Sequence, residues 1–98
     1  MNPPSDAADR RDWVGPVLKA GPVADVVIAA IRELNAPVEI VDRGSYLRVL
    51  CARRCRVTRD ALERHRGAAF RLPGDLESVM PSFKGRLSLT EEEACWDA

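Results

Sequence analysis

The stretch VEIVDRGSYLRVLCA, Val38 to Ala52, decides how this chain folds. Val38 to Val41 is a short β-branched run, and Tyr46 to Ala52 is apolar on nearly both faces apart from Arg48. Between them, Asp42-Arg43-Gly44-Ser45 has the composition of a tight turn. Two such runs around such a turn predict an antiparallel hairpin. A strand that is apolar on both faces belongs in the interior of its sheet, so the second run calls for further strands beside it.

Those strands and their helices are sought on either side. Toward the N-terminus, Val23, Val26, Val27, Ala30, Ile31 and Leu34 follow the i, i+3, i+4, i+7 spacing of one helix face. Pro22 suits the first helical position, and Asn35 and Pro37 end the helix. Ahead of it, Trp13 to Ala20 (WVGPVLKA) predicts a first strand interrupted by Gly15-Pro16. Proline within a strand points to an edge or a bulge. Residues 1–12 carry Pro3, Pro4 and several charges without periodicity, which predicts a flexible tail before a domain over 13–98.

Toward the C-terminus, Arg53-Arg54 reads as a turn or bulge, with Cys55 to Val57 continuing the sheet. Thr58 is an N-cap for a helix over Arg59 to Arg66. Asp60 lies near its positive end, Arg64, His65 and Arg66 near its negative end, and Gly67 stops it. Phe70 to Pro81 (FRLPGDLESVMP) reads as an irregular connector turning at Pro73-Gly74. Phe83, Gly85, Leu87 and Leu89 alternate with Lys84, Arg86 and Ser88, which predicts one half-buried strand. Thr90 to Glu92 turns the chain into a last strand at Ala94 to Trp96. The expected order is β-α-β-β-α-β-β. This is an α+β fold with two helices packed against a mainly antiparallel sheet.

Composition narrows the function. The 98 residues make one domain, and 46% hydrophobic with 31% charged residues reads as globular. Lys+Arg and Asp+Glu are both 15. Zero net charge argues against a dedicated nucleic-acid binder and against electrostatic docking on a membrane. No apolar run approaches the roughly 18 residues needed to span a bilayer. The polar N-terminus does not read as a signal peptide, so a cytoplasmic protein is expected. The odd count of three cysteines, Cys51, Cys55 and Cys95, then points to reduced thiols acting as small apolar residues.

Catalytic chemistry is hard to find. His65 is the only histidine and sits in the last turn of a short helix, with no nucleophile motif beside it. Cys51, Cys55, His65 and Cys95 could in principle hold a metal, but their spacing matches no structural zinc pattern. No Glu-x-x-His pair and no glycine-rich phosphate loop occurs. Arg53, Arg54, Arg56, Arg59, Arg64 and Arg66 form a basic cluster diluted by Asp60 and Glu63. It could dock an acidic protein or a nucleic acid, or be a solvated face; aromatic residues for stacking on bases are absent from it.

Taken in order, these segments resemble the effector (coupling) proteins of bacterial multicomponent diiron monooxygenases. VGPVLKAG (Val14 to Gly21) resembles the strand and small-residue turn before that family's first helix. VEIVDRGSYLRV (Val38 to Val49) resembles its central hairpin. FRLPGDLESVMPSFKGRL (Phe70 to Leu87) resembles its connector and following strand. The likeness spans Val14 to Trp96 and is nearest to the toluene and phenol types, while CARRCR (Cys51 to Arg56) is more basic and cysteine-rich than the pattern. The resemblance implies a non-catalytic subunit with no metal, flavin or nucleotide. It would bind the diiron hydroxylase component, tune oxygen activation, coupling and regiospecificity, and compete with the electron-donor ferredoxin or reductase. Asn35, Arg43, Ser82, Phe83 and Lys84 are the candidate partner-binding residues, whereas Tyr46 and Phe70 read as structural.

Overall fold

The computed structural model describes residues 10–98. In chain order the elements are β1 (Trp13–Lys19), α1 (Pro22–Leu34), β2 (Val38–Asp42), β3 (Tyr46–Ala52), β4 (Arg54–Thr58), α2 (Arg59–Arg66), α3 (Gly74–Glu77), β5 (Ser82–Lys84), β6 (Arg86–Leu89) and β7 (Glu93–Asp97). The tail expected over 1–12 lies outside the described residues except at its end. There Arg10–Asp12 form a 3-10 turn. Arg10 is anchored: its guanidinium lies 5.0 Å from the Trp13 ring centroid and pairs with Glu39.

The α+β class and the antiparallel pairing stand, but the strands divide between two sheets. One has the order β2-β3-β1-β5, the other β4-β7-β6. β3 is interior, as its apolar character requires. β1 is interior too, between β3 and β5, despite Pro16. No bulge forms: Val14 opposes Cys51 and Val17 opposes Arg48, so no residue is inserted between them. Proline has no N–H to offer the ladder. What the Gly15-Pro16 pair provides instead is closeness. A Cβ on Gly15, whose φ is 150°, would sit 2.1 Å from the Val49 carbonyl oxygen.

The alternation across Phe83 to Leu89 is not one strand. Ser82–Lys84 pairs with β1 in the first sheet, and Arg86–Leu89 pairs with β7 in the second. The chain changes sheet at Gly85, where φ is 106°. A Cβ there would meet Val14 Cγ1 at 2.7 Å and the Asp97 carbonyl oxygen at 2.8 Å. Side-chain alternation survives the crossing, so periodicity alone does not reveal the change of partner. The connector Phe70 to Pro81 holds one helical turn, α3, which seats Leu76 in the core. Phe70 is likewise buried.

The helices follow their local signals. Pro22 opens α1, which buries Ala24, Val27, Ala30 and Ile31, while Leu34 stays exposed at the end of the predicted stripe. Thr58 Oγ1 accepts from the Ala61 N–H at 3.2 Å, and α2 stops at Gly67, both as expected. Leu18, Val49 and Cys51 from the first sheet meet Cys55, Val57 and Trp96 from the second, together with α1 and Leu62 of α2, in one core. Trp96 is its largest fully buried side chain, and its indole N–H has no acceptor among the described residues.

The tightest point of this packing is backbone against backbone at Gly15, where no neighbouring side chain can yield. Gly15→Ala is expected to cost at least about 3 kcal/mol, because a methyl group there must separate β1 from β3. Urea unfolding of the two proteins under identical conditions measures it.

Candidate partner-binding surface

Residues opposed across neighbouring strands project from the same face of a sheet. The register therefore defines the face of the first sheet turned away from the core. At one end, the Arg43 N–H donates to the Tyr46 carbonyl at 2.8 Å, and Tyr46 opposes Lys19. The next row is Val41, Arg48, Val17 and Ser82. Then come Glu39 with Leu50, Gly15 with Lys84, and finally Ala52 with Trp13. Lys84 reaches across to donate to the Arg10 carbonyl at 3.1 Å. Tyr46, read as structural from the sequence, is 44% exposed on this face.

Three of the five candidate residues, Arg43, Ser82 and Lys84, thus belong to one face. Phe83 does not. It opposes Pro16 on the other side of the sheet, at the β5 edge, where it is 44% exposed. Asn35 lies elsewhere again, beyond the end of α1. Its Nδ2 donates to the Ile31 and Arg56 carbonyls, both at 2.8 Å, and its Oδ1 accepts from the Arg56 N–H at 3.0 Å. The amide thereby imitates a strand partner for β4 and joins it to α1. Lys19 and Arg48 were missed as surface residues, although the i, i+2 spacing of Tyr46 and Arg48 in the hairpin already places them on one side of a strand.

The arginine cluster is largely neutralised within the chain. Arg54 meets Asp97 at 3.0 Å, Arg56 meets Glu93 at 2.7 Å, Arg59 meets Glu92 at 3.2 Å and Arg66 meets Asp75 at 3.2 Å. Arg64 forks onto both oxygens of Glu33, at 3.0 and 2.7 Å. Among the described residues only Arg53 of the six lacks a carboxylate partner. Phosphate binding would have to compete with these pairs, which weakens the nucleic-acid alternative.

The four possible metal ligands are not gathered either. His65 Nε2 lies 2.7 Å from Glu33 Oε1 at the surface, linking α2 to α1. Cys55 opposes Trp96 and faces the core, whereas Cys95 opposes Arg56 on the other face of the second sheet. The Cys51 thiol, then burial, push the Cys55 thiol up, and burial raises Cys95. Cys51 goes the other way, lowered by its hydrogen bond with Cys55, so it is Cys55 and Cys95 that are the poorer nucleophiles.

Two tests follow from the bonds that tie α1 to its neighbours. Asn35→Ala should lower stability by about 2 kcal/mol, since three hydrogen bonds are lost and the Arg56 peptide is left without its partner; chemical denaturation checks it. The hydrogen bonds from Arg64, then from His65, hold the Glu33 carboxyl down at about 2, against its ordinary 4.5. A carboxylate depressed in the folded state contributes stability above its unfolded pKa and loses it as pH falls through the folded one. Unfolding midpoints of the wild type should therefore drop between pH 4.5 and about 2, and those of Glu33→Gln should drop less over the same window.

The chain is also similar to known proteins. The profile of the MmoB/DmpM family matches residues 12–97. The effector subunit of the alkene monooxygenase system of Xanthobacter autotrophicus is 42% identical over 85 residues, 85% of this chain and 83% of the relative. Among solved structures, a chain from a phenol hydroxylase–regulatory protein complex superposes with a TM-score of 0.78 at 14% identity, over 88% of this chain and 97% of the other. At that identity the last match speaks for the fold. The family profile spans nearly the whole chain, and the identity to the alkene monooxygenase effector extends over most of both proteins: the chain belongs to the MmoB/DmpM family.

Proposed function

We propose that this chain is the regulatory effector subunit of a bacterial multicomponent monooxygenase, and that it acts by binding the diiron hydroxylase component. The observation that carries the reading is the 42% identity, over 85% of the chain, to the effector subunit of an alkene monooxygenase system. The side-chain inventory agrees. His65 is committed to Glu33, and Cys55 and Cys95 face opposite sides of their sheet.

Such a subunit works by linkage. It alters the hydroxylase only as far as it binds one of its states better than another. A tenfold preference corresponds to about 1.4 kcal/mol, well within reach of one small interface. The consequences are tighter coupling of oxygen activation to substrate oxidation and a changed regiospecificity. Binding competes with the electron-donor ferredoxin or reductase for access to the hydroxylase. The working unit is the domain over 13–98, acting in the cytoplasm, and it docks through exposed residues among Arg43, Ser82, Phe83 and Lys84.

The experiment is a titration of the purified chain into the hydroxylase and reductase of its own system. Product formed per electron consumed should rise and saturate, and the chain alone should turn over no substrate. Coupling, rate and product distribution that all stay flat across the titration overturn the reading.

A further inference from the structure

The cations of this chain are not distributed evenly with respect to their partners. In β4 and α2, Arg54, Arg56, Arg59, Arg64 and Arg66 each meet a carboxylate, whereas Arg86 of β6 donates only to the Ala98 carbonyl. On the outward face of the first sheet they are not. Lys19, Arg43 and Arg48 have no carboxylate within salt-bridge distance among the described residues. Glu39, the carboxylate on that face, is held by Arg10. Asp42, next to Arg43 at the hairpin tip, accepts from the Gly44 N–H at 2.7 Å. The three cations surround Tyr46 and border the half-buried side chains of Val41 and Val17.

We propose that this face, with Lys19, Arg43 and Arg48 around Tyr46, is the docking surface for the hydroxylase, and that it fits a patch there that is acidic at its rim and apolar at its centre. The inference rests on the effector reading above and adds the face and the chemistry of its partner. Charge complementarity carries it. A chain of zero net charge that pairs five of the six arginines of its other cluster with carboxylates leaves Lys19, Arg43 and Arg48 grouped without one on a single sheet face. Exposed cations are well solvated without a partner, and they speed encounter with an acidic surface and fix its register. An aromatic side chain among them supplies the apolar anchor that interfaces favour. A strand-lined face also presents these groups from a rigid frame, because the core side of the same strands is packed.

The test is a binding titration of the full chain against its hydroxylase at several ionic strengths, with coupling read in parallel. Lys19→Glu/Arg43→Glu should weaken binding at least about tenfold and flatten its salt dependence. Both residues are exposed, so the fold should be retained, as circular dichroism would show. Tyr46→Ser should weaken binding without changing the salt slope. Arg32→Glu, an exposed reversal on α1, should bind as the wild type does. If the wild type regulates the hydroxylase while the double variant titrates within about twofold of it, this face is not the docking surface and the effector reading stands. If the wild type itself has no effect on the hydroxylase, both readings fall together. Salt-sensitive self-association of the free chain that the double variant abolishes would assign the face to a second copy and overturn the proposal.

Discussion

At Gly15 the backbone of β1 lies against the carbonyl of Val49 with no space for even a methyl group, and most of the architecture hangs on that approach. β1 pairs on one side with β3 and on the other with β5. Its neighbour Val14 fills the space where Gly85 has no side chain, at the point where the chain leaves the first sheet for the second. Two glycines thus let β1 approach β3 and the β5–β6 junction approach β7, and the two sheets close on a shared core through Leu18, Val49, Val57 and Trp96. Interiors packed to this density do not deform gradually. The domain should accordingly approach its partner as a rigid body, with its outward groups already in place.

The ion pairs divide the surface in two. One part, from α2 to the outer side of the second sheet, is a lattice of arginine and carboxylate pairs with Asn35 and Glu33 joining α1 to it. Pairs exposed to this degree contribute little to stability. Their larger effect is electrostatic silence: a cluster conspicuous in the sequence presents little net field. The other part, the outer side of the first sheet, pairs Arg10 with Glu39 but keeps Lys19, Arg43 and Arg48 without a carboxylate among the described residues. A basic cluster read along the chain and a basic patch in space are therefore different things here, and they fall on different elements.

What was legible in the sequence is what local physics decides. Pro22, Thr58 and Gly67 mark helix ends because caps act within a few residues, and α1 and α2 follow them. The hairpin of β2 and β3 was legible because its turn is short. What escaped was set at a distance. The division of Phe83 to Leu89 between sheets depends on β1 and β7, each remote in sequence. The carboxylates that neutralise Arg54 and Arg56 arrive from β7, some forty residues on. Of the candidate surface, Arg43, Ser82 and Lys84 were named from sequence as separate positions, and only the register unites them with Lys19, Tyr46 and Arg48.

The two tryptophans occupy opposite environments. Trp96 is sealed in the core, with no acceptor for its indole N–H among the described residues. Trp13 lies half-buried on the outward face of the first sheet, under the Arg10 guanidinium. One chromophore therefore emits from an apolar, water-free setting and the other from a setting open to quenchers and to whatever covers that face. Their signals are separable: the blue component of the intrinsic fluorescence reports on the integrity of the fold, and the red component reports on occupancy of the sheet.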